Sequence, residues 1–202
     1  MLKRGFDLVV ASLALVLLAP LLLALAAWVR LDSPGPALFR QERLGRHGRP
    51  FRIHKLRTMA LHAGGAPLTV GDDARITRAG RVLRRTRLDE LPQLIDVLRG
   101  DMSLVGPRPD VPRYLDRVDP ALRARVLAVR PGITDPASLA HVDEAQVLAA
   151  AADPEREYVE RILPAKLAAS ADYAERATLR SDLAVLMRTL GLLVGVHGGA
   201  RR

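Results

Sequence analysis

The chain has 202 residues, a formal net charge of +9 from 31 lysines and arginines, and a pI of about 11.0. It contains no cysteine, which excludes a disulfide framework and a thiolate metal site. Its aromatic content of 3% leaves few residues for the stacking platforms of single-strand nucleic-acid binders. The basic surface suits phosphorylated substrates, anionic lipid or nucleic acid, and the length suits one domain with an anchor.

An apolar run at residues 8–29 is the first predicted element. At about 1.5 Å per residue, a helix of this length could cross a bilayer core of roughly 30 Å. Pro20 lies inside the run and favours a kink, and basic residues flank both ends, which would keep both ends cytoplasmic. A straight span and a re-entrant hairpin bent at Pro20 both remain open. The flanking residues are Lys3, Arg4, Arg30, Arg40 and Arg43.

Two extended segments are predicted after a turn at residues 33–36. Residues 37–45 form the first, and residues 51–59, with imperfect alternation, form its partner strand. Lys55 and Arg57 would share one face of the second strand, because side chains alternate along a strand. The two cations could form a solvated basic face or part of an anion-binding pocket.

A flexible loop is predicted at residues 61–73, which contain three glycines and a proline. A basic amphipathic helix follows, with Ile76, Ala79, Val82 and Leu83 on one face and five arginines around them. Such a helix can lie in a membrane interface or cover the protein core, and both interpretations remain open.

The stretch at residues 86–109 carries the densest chemistry. Adjacent carboxylates, Asp89 and Glu90, open an apolar-periodic segment predicted to be a helix ending at Gly100. Asp89 could simply be an N-cap. Alternatively, carboxylates ringed by arginines could hold a divalent metal and attack a phosphorus atom, since guanidinium groups bind phosphate oxygens. The arginines are Arg81, Arg84, Arg85, Arg87, Arg99 and Arg108, the last held in a rigid Pro-Arg-Pro bend.

Further helices are predicted at residues 112–129 and from residue 153 onward, separated by a turn at residues 130–134. His141 is interpreted as an ordinary polar residue, because it has no partner at metal-site spacing. Asp182 is interpreted first as an N-cap. The apolar stripe after it is more typical of packing than of a second span, because Arg188 would put a charge in the membrane. The stripe comprises Leu183, Leu186, Leu190 and Leu193.

Several long motifs, in this order, resemble the bacterial sugar transferases, the monotopic phosphoglycosyl transferases. The central match is residues 88–109, and the resemblance covers nearly the whole chain. The chain has Ala19-Pro20 where the family breaks its re-entrant helix at a Ser-Pro pair. After Thr134 it departs from the commonest family pattern, which bears on the sugar nucleotide rather than on the chemistry. The other matching segments are residues 3–7, 51–59, 75–80 and 130–134.

The resemblance implies an α/β, helix-rich fold. A single cytosolic catalytic domain at residues 33–202, with amphipathic interfacial helices, would be mounted on a membrane-inserted re-entrant helix at residues 1–32. The protein would then be monotopic and lie at the cytoplasmic face of the bacterial inner membrane, in contact with its lipid.

The activity implied by the resemblance is transfer of a sugar 1-phosphate from a UDP-sugar to polyprenyl (undecaprenyl) phosphate, releasing UMP, as the first membrane step of glycoconjugate assembly such as exopolysaccharide biosynthesis. Asp89 would be the nucleophile of a covalent aspartyl phospho-sugar intermediate, and Asp89 and Glu90 would hold Mg²⁺. The residues expected at the substrate phosphates are Lys55, Arg57, Arg84, Arg108 and Asp182.

A rival interpretation is a membrane-anchored, non-enzymatic binder of anionic lipid or nucleic acid. It explains the net charge but not the adjacent carboxylates or the Pro-Arg-Pro bend. The enzyme interpretation expects no nucleic-acid partner.

Overall fold

The computed structural model describes residues 2–61, 68–71, 73–140 and 144–193. Helices dominate these ranges, as predicted, and the strands form two small two-stranded sheets. The element bounds are α1 (Leu2–Asp32), β1 (Leu38–Leu44), β2 (Pro50–Leu56), α2 (Arg78–Thr86), α3 (Leu94–Arg99), β3 (Ser103–Val105), α4 (Pro112–Leu115), α5 (Pro120–Leu127), β4 (Gly132–Thr134), α6 (Pro136–Ala140), α7 (Glu144–Ala150), α8 (Pro154–Glu157), α9 (Leu163–Arg176) and α10 (Leu179–Leu193). His141 and most of the predicted loop at residues 61–73 lie outside the described residues.

The first helix, α1, has the length and composition to cross a membrane, with a mean hydropathy of 2.9 over its most apolar window. Its 31 residues correspond to about 46 Å at about 1.5 Å per residue. The helix assignment continues through Pro20. The bend expected at Pro20 therefore does not divide α1 into two helices.

Both ends of α1 contact the rest of the protein. Near its start, the guanidinium of Arg4 donates to the carbonyl of Val97, 2.8 Å away, and the buried Asp7 accepts from the hydroxyl of Ser103. Near its end, Asp32 accepts from the backbone amide of Ala79 at 2.9 Å. Large apolar side chains between these contacts are exposed, and they include Val9, Leu13, Val16, Leu17, Leu21 and Leu23.

Strands β1 and β2 form an antiparallel hairpin that places Lys55 opposite Phe39. The second strand ends at Leu56, earlier than the predicted residue 59. Strands β3 and β4 pair in parallel, with Ser103 beside Gly132. A Cβ at Gly132 would lie 2.1 Å from the backbone nitrogen of Gly106, so only glycine permits this approach.

Helix α2 resolves one of the open alternatives. Thr77 caps its start by accepting from the amide of Gly80. Ala79 and Leu83 are fully buried and pack with Leu25 and Val29 of α1. The apolar face of α2 therefore covers the protein core, which favours that interpretation of the helix.

Two further clusters complete the core. One joins the α4–α9 region, where Leu115, Leu148 and Leu163 are each about 1% exposed. The other packs α3 and β3 against the start of α1 and against Val185 of α10. Helix α3 is thus held from several sides, and with it the segment that carries the adjacent carboxylates.

Candidate active site

A 3₁₀ helix at Leu88–Gln93 presents the two adjacent carboxylates. Arg87 precedes it with φ 54°, in the left-handed region, and so turns the chain sharply after α2. Asp89 makes no capping hydrogen bond, so the N-cap interpretation is wrong. The chain then continues directly into α3, which ends at Gly100 with φ 91°, as predicted.

Glu90 lies at the centre of an ion cluster formed with Lys55 and Arg108. The amine of Lys55 is 2.8 Å from Oε1 of Glu90, and the Arg108 guanidinium binds both carboxylate oxygens, with Nη1 3.1 Å from Oε2. Burial alone would raise the pKa of Glu90, but the charges of Arg108 and Lys55 outweigh it and hold that pKa well below its usual range. Glu90 is therefore a fixed anion that positions two cations.

Asp89 lies next to this cluster, but its hydrogen bonding and the direction of its pKa shift differ from those of Glu90. It is 8% exposed, and its carboxylate has no hydrogen-bond partner among the residues that the structure describes. Burial and the neighbouring charge of Glu90 raise the pKa of Asp89 above its usual value, while Lys55, Arg108 and Arg84 oppose the rise. The result is a carboxylate with enhanced basicity whose oxygens remain available to a substrate.

His54 and Asp96 form a buried pair that the sequence analysis did not identify. Nδ1 of His54 is 2.6 Å from Oδ1 of Asp96, and the His54 amide donates to Oδ2. The pair fastens β2 to α3, and thereby Lys55 to the segment that carries Glu90. Ile53 and His54 are both buried although they are adjacent on β2, and the sequence carries no signal for the pairing of His54 with Asp96.

Arg57 lies apart from the ion cluster. Its guanidinium donates to the carbonyls of Ser33, Pro34 and Pro36, at 2.6–2.8 Å, and only 2% of the residue is exposed. These carbonyls belong to the turn after α1. The donors of Arg57 are committed to this backbone, so the structure does not bring Arg57 to the ion cluster with Lys55 and Arg108.

Asp182 is also remote from the ion cluster. It accepts from the amine of Lys3 and from the hydroxyl of Tyr173, the latter at 2.9 Å, and it is 2% exposed. It thus ties the start of α1 to α9 and α10. The geometry supports neither the expected phosphate contact nor the N-cap interpretation, since Ser181 and Thr178 make the local capping bonds.

Arg84 and Arg108 line a cavity of about 500 Å³, here called the basic cavity. Arg84 also donates to the hydroxyl of Thr69 at 2.9 Å. Burial lowers the pKa of Arg84, with the charge of Asp89 opposing the shift. The basic side chains around the cavity make it suited to a phosphorylated ligand. They are Arg43, Arg84, Arg85, Arg87, Arg108 and Lys166.

The carboxylates fit the predicted Mg²⁺ only in part. No group of three or more His, Cys, Asp or Glu residues with metal-site geometry occurs within the described ranges. Both oxygens of Glu90 are engaged by cations, whereas those of Asp89 are free of hydrogen bonds. Mg²⁺ often takes one or two protein carboxylates and completes its shell with water and substrate phosphate. Asp89 fits such a site, and Glu90 does not in this arrangement.

Comparison with known proteins gives relatives along most of the chain. A "UDP-glucose:undecaprenyl-phosphate glucose-1-phosphate transferase" of Caulobacter vibrioides is 44% identical over 95% of the chain. A "UDP-N-acetylgalactosamine-undecaprenyl-phosphate N-acetylgalactosaminephosphotransferase" of Aeromonas hydrophila is 45% identical over 69%. The "Exopolysaccharide production protein PSS" of Rhizobium leguminosarum bv. phaseoli is 50% identical over 53%. The chain spans 69%, 34% and 55% of these proteins, respectively.

Residues 1–195 also match the family described as "Bacterial sugar transferase". This match covers the 3₁₀ helix, the ion cluster and the walls of the basic cavity. It confirms the predicted family and the predicted class of enzyme, a transferase. The chain belongs to the bacterial sugar transferase family.

Proposed function

We propose that the protein transfers a sugar 1-phosphate from a UDP-sugar to polyprenyl phosphate and releases UMP, with Asp89 as the covalent nucleophile. The observation that carries the proposal is the unpartnered Asp89 carboxylate beside the Glu90 ion cluster. Arg84 and Arg108 lie close enough to influence the pKa of Asp89, and both line the basic cavity. Two of the relatives, those of Caulobacter vibrioides and Aeromonas hydrophila, are named for UDP-sugars and undecaprenyl phosphate, which supports the same substrate classes here.

The chemistry has two displacements at one phosphorus atom. An oxygen of Asp89 forms a bond to the phosphorus that bears the sugar, the bond from that phosphorus to the bridging oxygen breaks, and UMP leaves with the electron pair. An oxygen of polyprenyl phosphate then forms a bond to the same phosphorus, and the bond to Asp89 breaks. Splitting the transfer in this way replaces one difficult step by two easier ones.

The ion cluster prepares the site for the negative charge of the donor diphosphate. Glu90 holds Lys55 and Arg108 in place, so their positive potential is organised before the donor binds. Burial raises the pKa of Asp89, and the same cations oppose that rise. We assign Asp89 as the protein ligand of Mg²⁺, which would neutralise the diphosphate when bound.

We also propose that α1 lies in the bacterial inner membrane with both of its ends on the cytoplasmic side. The contacts of Arg4 and Asp32 join the two ends of α1 to the same domain. A helix that crossed the bilayer would place its two ends on opposite sides of the membrane, where one domain could not contact both. The exposed apolar side chains between the two contacts would face lipid.

The test is UMP release from UDP-sugars in detergent or nanodiscs. Without polyprenyl phosphate, a covalent intermediate predicts a single burst of about one UMP per enzyme, and turnover only after the acceptor is added. Asp89→Asn should fold and give no burst. Asp119→Asn, which alters an exposed capping aspartate at the start of α5, is the matched control and should behave as wild type.

A burst of wild-type size from Asp89→Asn would refute the covalent mechanism. Absence of UMP release from every UDP-sugar, with polyprenyl phosphate present, would favour the non-enzymatic binder instead.

A further inference from the structure

The wall of the basic cavity contains polar atoms that lack hydrogen-bond partners. They are the hydroxyl of Tyr114, the hydroxyl of Ser138 and Nε of Arg43. Tyr114 and Ser138 are only 3% and 7% exposed. One other buried orphan occurs in the described part of the chain, the hydroxyl of Ser33 at the turn after α1. The orphans are therefore concentrated at one cavity.

Such atoms are normally paired inside proteins, because a buried polar group without a partner loses its hydrogen bonds to water and gains none in return. Three of them around one cavity indicate that a ligand supplies the missing partners. The ligand must offer an acceptor to Nε of Arg43, which can only donate, and donors or acceptors to the two hydroxyl groups, which can do either.

The position of the orphans relative to the phosphate-binding side chains restricts which part of the ligand they touch. Arg84 and Arg108 line the same cavity and also lie near Asp89. A diphosphate held by these arginines would extend its remaining groups toward Tyr114 and Ser138. Asp110 adds an acceptor there, and the hydroxyl of Tyr158 fixes its Oδ1 at 3.3 Å.

The aromatic rings at the cavity favour a sugar over a pyrimidine base. A base gains much of its binding energy by stacking on an exposed aromatic face. The Tyr114 and Tyr158 rings instead pack edge to face, with centroids 5.2 Å apart, and Arg113 lies over one face of Tyr114. The hydroxyl group of Tyr114, rather than the face of either ring, is left for a ligand. A hydroxyl-rich hexose matches this group.

We infer that the basic cavity is the sugar subsite of the donor, and that Tyr114, Ser138 and Arg43 hydrogen-bond to the hydroxyl groups of the transferred hexose. This inference rests on the proposed function and extends it by naming the side chains that select the sugar. The three come from α4, α6 and β1, so the subsite is assembled only in the folded domain.

The test compares Tyr114→Phe and Ser138→Ala with wild type, using the UDP-sugar that gives the fastest UMP release. Each variant removes one hydroxyl, so the KM for the UDP-sugar should rise roughly tenfold, the equivalent of one hydrogen bond. Inhibition by UMP, which carries the base but not the sugar, should be unchanged. The melting temperature without ligand should not fall, because neither hydroxyl has a partner among the residues that the structure describes.

Ser33→Ala is the matched control, since it removes an orphaned hydroxyl that lies outside the basic cavity. Its KM and UMP inhibition should equal those of wild type. The sugar subsite is overturned if neither cavity variant changes the KM, if Ser33→Ala changes it equally, or if UMP inhibition weakens in parallel with the KM, which would assign the cavity to uridine.

The experiments distinguish failure of the proposed function from failure of the sugar subsite. A wild-type protein that releases no UMP from any UDP-sugar overturns both proposals at once. An active wild type with unaltered cavity variants overturns the sugar subsite and leaves the transferase activity standing.

Discussion

Replacing Glu90 by glutamine tests the ion cluster, because it keeps the size of the side chain and removes its charge. In the wild-type protein the carboxylate binds the Lys55 amine and both terminal nitrogens of Arg108. The Lys55, Arg108 and Glu90 side chains are 18%, 31% and 11% exposed. Glutamine can accept a hydrogen bond from one cation, but it leaves two largely buried positive charges without a counterion.

Breaking a buried ion pair from one side costs about 3–5 kcal/mol. Partial exposure of both cations and the retained amide oxygen reduce the loss, so we expect about 2–3 kcal/mol. For a chain of this length, that corresponds to a fall in melting temperature of roughly 4–12 °C. The loss also depends on pH, because the folded protein holds the pKa of Glu90 below its usual value.

The sign of the pH dependence follows from linkage. Stabilisation by Glu90 is fully present above its unfolded pKa of about 4.3 and disappears as the pH falls through the lower folded value. The wild type and Glu90→Gln should therefore differ most at neutral pH and converge in acid. Thermal unfolding in detergent at one scan rate, recorded from pH 7 downward, measures this difference.

Glu155→Gln is the matched control for this experiment. Glu155 also faces two arginines, with Arg113 at 2.5 Å and Arg117 at 3.5 Å, but these are 53% and 50% exposed. A surface pair of this kind is worth about 0–1 kcal/mol, so the control should melt close to wild type. Equal melting of Glu90→Gln and Glu155→Gln at neutral pH would refute the argument that Glu90 is a buried counterion.

Further predictions concern the nucleophile, the metal, the buried pair and the membrane helix. The acid limb of the pH–rate profile should lie above the ordinary aspartate value of about 3.9, because burial raises the pKa of Asp89, and it should move down in Glu90→Gln. EDTA should abolish UMP release and Mg²⁺ restore it; unchanged rates on metal-free substrate would contradict this. His54→Phe should lower the free energy of unfolding by about 1–3 kcal/mol, seen as a lower melting temperature, because Oδ1 of Asp96 loses its partner. Single cysteines replacing Leu2 and Arg40 should both resist an impermeant thiol reagent in intact cells; labelling of only one would contradict the proposed topology.

Local signals in the sequence predicted two features of the helices well. Gly100 ends α3 and the apolar run gives α1, because each signal lies within the segment itself. The adjacent Asp89 and Glu90 were also recognisable, with Arg108 in its rigid bend. The different environments of these two carboxylates were not recognisable, because they depend on which cations the fold places beside each carboxylate.

The roles of Arg57 and His54 could not be read from the sequence for a related reason. Strand alternation suggested that Arg57 shares a face with Lys55, but β2 ends at Leu56, and the guanidinium turns toward the carbonyls after α1. His54 lacked a partner in the sequence because Asp96 is 42 residues away. A pair of polar side chains that are far apart in the sequence leaves no periodic pattern from which it could be predicted.

The contact between Arg57 and the turn after α1 has a mechanical consequence. The guanidinium donates hydrogen bonds to three carbonyls within residues 33–36, and Arg57 follows Lys55 by two residues. In the proposed topology, this short connection would set the height of the Asp89 carboxylate above the lipid headgroups. Under the proposed function, Asp89 would then meet the phosphate of polyprenyl phosphate at the membrane surface, without the acceptor leaving the bilayer. A lysine at position 57 carries all its donors on one nitrogen and could not bind three carbonyls in this way. The position of the active site relative to the membrane surface would then be less fixed.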